Sequence, residues 1–196
     1  MNLAVFASGR GSNLDVLIAR AADGRLPARI AVVLSNNSGS GALTIASRHG
    51  IPTAHLSAVT HPDTDPYRDA MLRLLESHGI DLIVLAGFMR LVPAQVVARY
   101  PRRIVNIHPA PLPRFGGPGM YGLAPHRGVL AAGLNESAVC VHYVTEEYDQ
   151  GPIIDSRPIP VHPDDTPESL QRRAAAVEHD LYWRVIADLV TGGDAA

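Results

Sequence analysis

The chain alternates between short apolar runs and segments whose apolar residues recur at helical spacing. After the first run, Leu3–Ala7, apolar residues three and four positions apart mark a helix that stops at Gly24. The dense run Asp81–Ala86 is too short for a helix, and Gly87 ends it, which is typical of a central strand covered on both faces. Up to His108 the pattern predicts strands at Leu3–Ala7, Arg29–Leu34, Pro52–Leu56, Asp81–Ala86 and Arg103–His108, and helices at 14–21, 42–48, 67–75 and 93–100.

The second half of the chain has a different pattern. Residues 109–125 are rich in Pro and Gly, which predicts a long loop with several turns. A short helix, a strand at Ser137–Val144, an extended segment at Pro152–Val161 and a long final helix that begins at Thr166-Pro167 follow. Strands that alternate with helices predict an α/β fold, doubly wound around a mostly parallel sheet with helices on both faces. Because we find no internal repeat and no linker, residues 1–196 are expected to form a single domain.

Composition excludes several classes of protein. The 196 residues are 46% apolar and 18% charged with a formal charge of −2, so no basic field indicates nucleic acid or an anionic membrane as a partner. The chain has no lysine, which excludes Schiff-base catalysis, lysine-bound pyridoxal phosphate and a Walker-type phosphate loop. Its one cysteine, Cys140, allows no internal disulfide and no Cys-rich zinc site, and it is typical of a reducing, cytoplasmic setting. The sequence shows neither a signal peptide nor an apolar run long enough to span a membrane.

The first segment with candidate chemistry is Ser8-Gly9-Arg10-Gly11-Ser12-Asn13-Leu14, between the first strand and the first helix. Its glycines let the backbone approach an anion, and the start of the helix offers unpaired N–H groups and the positive end of the helix dipole. The third glycine of the dinucleotide fingerprint is missing, so the loop suits a single phosphate better than a pyrophosphate. The alternative is a plain turn with a helix cap.

The second segment is Asn106-Ile107-His108-Pro109. Alternate residues of a strand point to the same side, so we expect Asn106 and His108 to project together while Ile107 enters the core. Pro109 places the pair at the C-terminal end of its strand, which is where ligands bind in open α/β sheets. An amide beside an imidazole can hold a developing oxyanion. The alternative is that His108 only ends a strand.

Three further residues are weaker candidates. Asp149 lies in the acidic loop 145–152, where the turn at Gly151-Pro152 can fix its carboxylate beside His108 and favour the imidazolium; a solvated acidic loop is the alternative. His142 is interpreted as an inner residue with satisfied hydrogen bonds, and lining of the site is the less favoured interpretation. Glu178, on the last helix, is either a contact for a substrate amine or an ordinary surface glutamate.

Together these segments resemble the phosphoribosylglycinamide formyltransferase family, the folate-dependent transformylases of purine synthesis. The resemblance covers nearly the whole chain and rests on the order of its motifs. They are Ser8–Leu14, Leu85-Ala86-Gly87-Phe88-Met89-Arg90-Leu91, Asn106–Pro109 with Leu112-Pro113, Val141-His142-Tyr143-Val144 leading to Asp149–Pro152, and Glu178-His179. The resemblance implies a Rossmann-like formyltransferase fold with antiparallel C-terminal strands.

The resemblance also implies a role for each motif. The catalytic set would be Asn106, His108 and Asp149. The set that binds the phosphate and the amine end of glycinamide ribonucleotide would be Gly11, Ser12, Asn13 and Glu178. The set that contacts the co-substrate 10-formyltetrahydrofolate would be Met89, Arg90, Leu91, Val92 and Asn106. Residues 1–108 would bind the ribonucleotide and residues 109–196 would complete the folate site. We expect no metal, because the oxyanion already has donors and the sequence lacks a ligand cluster.

Two positions depart from the family pattern. The family usually has a folate-contacting arginine just before the third helix, where this chain has Thr64, and the nearest arginine is Arg68. The loop Gly116–Pro125 is longer than is usual and is expected to reshape the rim of the site. Leu112-Pro113 matches a position at which the family often has a cis proline bond.

The activity that the resemblance implies is direct formyl transfer in de novo purine synthesis. The ribonucleotide amine would attack the formyl carbon, Asn106 and protonated His108 would hold the oxyanion, and Asp149 would keep His108 charged. The nearest alternatives are formyltetrahydrofolate hydrolase and methionyl-tRNA formyltransferase, whose extra N-terminal or C-terminal domain is not expected in this chain. A nicotinamide-dependent oxidoreductase is disfavoured, because Ser35-Asn36 stands where an acidic residue would end the second strand. A non-catalytic nucleotide-binding module stays open, as does the choice between a monomer and a homodimer.

Overall fold

A seven-stranded sheet forms the centre of the structure, a computed structural model that describes residues 1–57 and 59–192. The strands in chain order are β1 (Asn2–Phe6), β2 (Arg29–Ser35), β3 (Thr53–His55), β4 (Leu82–Leu85), β5 (Ile104–His108), β6 (Glu136–Tyr143) and β7 (Ile153–Pro160). Their order across the sheet is β3-β2-β1-β4-β5-β6-β7. β1 to β5 pair in parallel, whereas β6 pairs antiparallel with both β5 and β7.

Helices cover both faces of this sheet. In chain order they are α1 (Ser12–Ala22), α2 (Gly41–Arg48), α3 (Thr64–Ser77), α4 (Ala94–Arg99), α5 (Ala124–Ala131) and α6 (Pro167–Val190). The predicted start of α6 is confirmed: the Thr166 side chain accepts from the Ser169 N–H, the Ser169 side chain accepts from the Thr166 N–H, and Pro167 follows the cap. Within the described part of the chain, every helix is too short or too polar to serve as a membrane span.

Alternate residues of the strands enter two separate cores. In β1, Leu3 and Val5 join the core that includes residues of α1, α2, α5 and α6, while Ala4 and Phe6 join the core that includes residues of α3 and α4. All four side chains are 0% exposed, because helices cover both faces of the parallel part of the sheet. The doubly wound fold predicted from the sequence is therefore confirmed, and so are the antiparallel C-terminal strands.

The topology brings the candidate residues to one edge of the sheet. β1 lies between β2 and β4, so the strand order reverses there, and ligands of doubly wound folds bind beyond the carboxyl ends of the strands at such a point. Tyr182 on α6 fixes that helix against this edge, because its hydroxyl lies 2.8 Å from the Leu85 carbonyl oxygen and 3.1 Å from that of Val105. Glu178 lies one helical turn before Tyr182 and so faces the same edge.

Candidate active site

A cavity of about 330 Å³ opens at the carboxyl ends of β4 and β5. Sites for small molecules are commonly about 300–1,000 Å³. Most of the residues proposed from the sequence line this cavity. They are Asn13, Met89, Arg90, Leu91, Val92, Asn106, His108, Asp149 and Glu178. Gly11 and Ser12 lie outside its lining, at the start of α1.

The end of β5 presents Asn106 and His108 to the cavity, and Ile107 between them belongs to a buried core although it also borders the lining. The projection of Asn106 and His108 to one side is thus confirmed. β6 adds a partner for Asn106, because the antiparallel pairing places His142 directly opposite it. His142 is only 2% exposed, as interpreted from the sequence, but it also lines the cavity.

His108 is held by a backbone carbonyl. Its Nε2 lies 2.8 Å from the carbonyl oxygen of Phe115, which can only accept, so Nε2 carries a hydrogen. Its Nδ1 lies 3.7 Å from Oδ2 of Asp149. Burial lowers the pKa of His108, and the Asp149 carboxylate and the Phe115 carbonyl offset that effect only in part. Burial thus acts against the effect expected of Asp149, and that Asp149 keeps His108 charged stays a prediction.

Asp149 is fixed by the backbone around it. The N–H of Gly117 donates to Oδ2 of Asp149 at 2.9 Å, and Asp149 itself has a positive φ of 56°. The turn after it needs a glycine, because a Cβ on Gly151 would lie 1.7 Å from the Tyr143 carbonyl oxygen. Burial alone would raise the pKa of Asp149, but its contacts with His142, Gly117 and His108 together lower it. Asp149 is thus an ionised carboxylate in the cavity wall, and the solvated acidic loop is excluded.

The amide of Asn106 joins His142 to Asp149. Its Nδ2 lies 3.1 Å from Nε2 of His142 and 3.4 Å from Oδ1 of Asp149. The three side chains therefore form one hydrogen-bonded group beside His108.

The other end of the cavity contains Asn13 and Glu178. Nδ2 of Asn13 donates to Oε2 of Glu178 at 2.9 Å. Burial raises the pKa of Glu178, and the bond from Asn13 lowers it by less. Gly11, the N-cap of α1, has a φ of 86°, and a Cβ there would lie 2.8 Å from Cα of Ala42. Gly11 has no side chain that could cap α1, so the start of the helix offers backbone N–H groups to a ligand.

The loop after β4 forms the mouth of the cavity. Met89 and Leu91 are 46% and 42% exposed there, so the mouth offers apolar side chains to a ligand. The hydroxyl of Ser8 accepts from the Met89 N–H at 2.7 Å and also bonds to Asn36 Oδ1, which ties this loop to the end of β1.

Two arginines near this mouth differ in their surroundings. Arg90 lines the cavity with its guanidinium carbon 6.0 Å from the ring centre of Tyr67. Arg68 instead pairs with Asp65 at 2.7 Å and with Asp69 at 2.8 Å, and it does not belong to the lining. Thr64 is exposed at the first turn of α3.

The long loop predicted after β5 reaches the cavity. Gly117, Met120, Tyr121 and Gly122 are among its lining residues, and the side-chain amide of Gln171 donates to the Gly122 carbonyl at 3.2 Å. The Leu112-Pro113 bond is cis, as the resemblance implies.

His126 is a lining residue that the sequence pattern did not indicate. It is 0% exposed in the first turn of α5, and neither ring nitrogen has a hydrogen-bond partner among the described residues. Burial lowers its pKa to about 4, and repulsion from His108 acts in the same direction. The one sequence feature that points to a buried His126 is its spacing of three residues from Val129, which places both side chains on the buried face of α5.

Side chains that could bind a metal do not cluster in the described part of this site. Within residues 1–57 and 59–192, no three His, Cys, Asp or Glu side chains are arranged so that they could hold a metal ion.

The doubly wound sheet and its cavity correspond to a known class of enzyme. The chain belongs to the formyl transferase family, whose model matches residues 1–186. Within that family, its relatives include the phosphoribosylglycinamide formyltransferase of Haemophilus influenzae, which is 35% identical over 94% of this chain and 84% of that protein. The resemblance stated from the motifs is therefore confirmed.

Other relatives extend the comparison. The chloroplastic phosphoribosylglycinamide formyltransferase of Arabidopsis thaliana is 37% identical over 94% of this chain, which spans only 63% of that protein's length. The crystal structure of glycinamide ribonucleotide transformylase 1 from Symbiobacterium toebii has a TM-score of 0.91 at 36% identity and covers 98% of this chain and 88% of its own. A formyltetrahydrofolate deformylase from Pseudomonas syringae pv. tomato has a TM-score of 0.86 at 29% identity, over 97% of this chain and 61% of its own.

Proposed function

We propose that this chain transfers a formyl group from 10-formyltetrahydrofolate to the amine of 5-phosphoribosylglycinamide, a step of de novo purine biosynthesis. The observation that carries the proposal is the convergence of the Asn106 amide, Nδ1 of His108 and the Asp149 carboxylate on one wall of the cavity. A donor for an oxyanion, a base and a carboxylate are the groups that acyl transfer between two nitrogen atoms requires. The names of the relatives support the same reaction.

The phosphorylated amine is proposed to bind at the α1 end of the cavity. Its phosphate would accept from the free N–H groups at the start of α1, at Gly11, Ser12 and Asn13, where the helix dipole favours an anion. Its amine end would reach Glu178, which Asn13 holds at 2.9 Å. Residues 1–108 would in this way supply most of the ribonucleotide contacts.

The folate is proposed to bind at the mouth of the cavity. Met89, Leu91 and Val92 offer apolar side chains and backbone polar groups to the pterin ring, and Arg90 offers a cation to the acidic tail. The loop at 117–122 covers the same region from the other side, so residues 109–196 would complete this site. Ser8 fixes the backbone of Met89 through its hydroxyl.

The proton for the oxyanion is proposed to come from the substrate. The amine arrives as an ammonium ion, and the free Nδ1 of neutral His108 takes one proton from it. The resulting Nδ1–H and the Asn106 amide then donate to the formyl oxygen as the amine attacks the formyl carbon and that oxygen becomes negative. This order of events reconciles the lowered pKa of His108 with its role as a donor.

The remaining steps balance the protons. The attacking nitrogen gives its second proton to the Asp149 carboxylate, and the imidazolium of His108 gives its proton to N10 of the folate as the bond between N10 and the formyl carbon breaks. The products are the formylated ribonucleotide and tetrahydrofolate, and Asp149 releases one proton to water. Every proton transfer thus has a named donor and a named acceptor.

The location, the partners and the assembly of the enzyme are inferred from its composition and its family. We expect a cytoplasmic enzyme with no nucleic acid partner and no resident metal, active as a monomer or a homodimer.

The proposal is tested by mixing the protein with glycinamide ribonucleotide and 10-formyltetrahydrofolate and following the release of tetrahydrofolate. Release that requires the ribonucleotide supports transfer. Release at the same rate without the ribonucleotide would indicate hydrolysis, the activity named for the Pseudomonas deformylase. Binding of both ligands without release would indicate the non-catalytic module.

A further inference from the structure

We propose that His142 is a positioning residue that fixes the orientation of the Asn106 side-chain amide. The inference rests on the proposed formyl transfer, in which Asn106 must offer an N–H rather than its oxygen to the oxyanion. An amide side chain can present either end, and a flipped amide would place a negative dipole against the developing charge. A neighbouring group must therefore hold the amide in one orientation.

The hydrogen bonds of His142 define its tautomer. Its Nδ1 lies 2.9 Å from the Tyr143 carbonyl oxygen, which can only accept, so Nδ1 carries a hydrogen. Nε2 lies 3.1 Å from Nδ2 of Asn106, where it can accept a hydrogen bond from the amide. An acceptor at this distance requires the NH₂ end of the amide, so an accepting Nε2 admits one amide orientation only.

Asp149 contacts the same amide nitrogen, with its Oδ1 3.5 Å from Nε2 of His142, but its charge changes during the proposed reaction. Its Oδ1 is 3.4 Å from Nδ2 of Asn106, a longer contact than that with His142. In the proposed reaction Asp149 takes a proton from the attacking nitrogen, and a protonated carboxyl can donate to the oxygen of a flipped amide. His142 is then the side chain that still requires the NH₂ end, at the step when the oxyanion must be held.

Strand pairing explains why His142 can do this. Asn106 on β5 and His142 on β6 are register partners, so their side chains stand on the same face of the sheet next to each other. His142 is 2% exposed, and its bond to the Tyr143 carbonyl leaves little freedom to turn the ring. The positioning is thus built into the pairing of β5 with β6.

The first test compares His142→Ala and His142→Gln with the unchanged protein. Loss of the acceptor should lower kcat by about tenfold to a hundredfold, less than complete loss of an oxyanion donor, while the KM for either substrate changes by less than about threefold. Gln carries an oxygen that can accept from Asn106, so it should restore part of kcat. Glu136→Ala is the control, because Glu136 is an exposed residue at the start of the same strand, outside the cavity lining, and kcat should not change.

The second test shows whether His142 acts through Asn106. If it does, adding His142→Ala to Asn106→Ala should not lower kcat further, since there is no amide left to orient. Multiplicative losses in the double variant would overturn the inference and make His142 an independent part of the site.

A measurement without turnover separates this inference from the proposed function. The two side-chain amide protons of Asn106 give NMR signals that are identified by their absence in Asn106→Ala. They should shift and exchange faster with water in His142→Gln and His142→Ala than in Glu136→Ala. Unchanged amide signals would overturn the inference even if the protein transfers formyl groups. Shifted signals in a protein that does not transfer formyl groups would contradict the proposed function and leave the orientation by His142 supported.

Discussion

The carbonyl oxygen of Phe115 lies 2.8 Å from Nε2 of His108 and leaves Nδ1 as the ring nitrogen that faces Asp149. Because a carbonyl only accepts, the hydrogen of the neutral ring is on Nε2 and the free lone pair is on Nδ1. Burial lowers the pKa of this ring, and in the proposed mechanism His108 enters the reaction as a base and becomes a donor only after it has taken a proton. The predictions for Asp149 and for the loop beside it follow from this arrangement.

Asp149→Asn should lower the pKa of His108 further. The Asp149 carboxylate raises that pKa, and the amide would remove the negative charge while it keeps an oxygen for the Gly117 N–H. The ring would then accept a proton from the substrate less readily, and kcat should fall by about a hundredfold to a thousandfold with little change in either KM. The measurements are kcat as a function of pH and an NMR titration of His108 in both proteins. An unchanged pKa of His108 with near-normal kcat would remove Asp149 from the catalytic set.

Gly116→Ala should displace Asp149 without changing any catalytic group. A Cβ on Gly116 would lie 2.7 Å from Cβ of Asp149 and 2.6 Å from Cδ2 of Leu112. Leu112 can rotate away, but Cβ of Asp149 moves only with its backbone, so the carboxylate must shift. Misplacement of a reacting group by about 1 Å can cost a hundredfold, and we expect kcat to fall by about tenfold or more.

The control for this variant is Gly39→Ala. A Cβ on Gly39 would meet only Oδ1 of Asn37, at an ordinary distance of 3.6 Å. Its kcat should equal that of the unchanged protein. Equal kcat values for Gly116→Ala and Gly39→Ala would show that the position of Asp149 is not critical.

Arg90→Ala should weaken the binding of 10-formyltetrahydrofolate, whereas Arg68→Ala should not. Arg90 lines the cavity over Tyr67, but Arg68 is paired with Asp65 and Asp69 away from it. Loss of a charge-assisted contact of about 1.5 kcal/mol corresponds to roughly a tenfold rise in the folate KM. The two variants therefore control for each other in one steady-state assay. A larger folate KM in Arg68→Ala than in Arg90→Ala would show that Arg68 replaces the arginine missing at Thr64.

His126 should make the protein less stable in mild acid. The pKa of the buried ring is lowered to about 4, whereas a histidine in an unfolded chain has a pKa of about 6.5. Between these two values the unfolded chain binds more protons, so the free energy of unfolding falls as the pH falls from about 6.5 to about 4, by at most about 1.4 kcal/mol per pH unit for one group.

The check is denaturant unfolding of the unchanged protein and of His126→Leu at several pH values. The two free energies should change in parallel above about pH 7 and diverge in mild acid, where the unchanged protein should lose more stability. His162→Leu, at an exposed loop position, is the control. Curves for His126→Leu that stay parallel to those of the unchanged protein at every pH would show that His126 does not titrate with folding.

The sequence could predict the fold because each strand of the parallel sheet is a short apolar run whose ends are marked by turn-forming or polar residues. Asn106 and His108 could be placed together for the same reason, since two residues of one strand need no tertiary information. Asp149 could be placed beside His108 only as one alternative, because its position depends on a turn at Gly151 that the Tyr143 carbonyl restricts.

The residues that could not be predicted depend on contacts between distant segments. His142 faces Asn106 through the antiparallel register of β5 and β6, and nothing in either segment specifies that register. His126 lines the cavity because the chain folds back after the long loop, so that α5 packs near the sheet. The lowered pKa of His108 reflects how deeply it is buried, which depends on the whole surrounding structure.

The most direct test of the account follows the formyl carbon itself. The protein is mixed with glycinamide ribonucleotide and 10-formyltetrahydrofolate whose formyl group carries ¹³C, and the products are analysed by mass spectrometry. The label should appear on the ribonucleotide in step with the release of tetrahydrofolate, and Asn106→Ala should slow both by about a hundredfold or more. Label that appears as free formate, with none on the ribonucleotide, would contradict the proposed transfer.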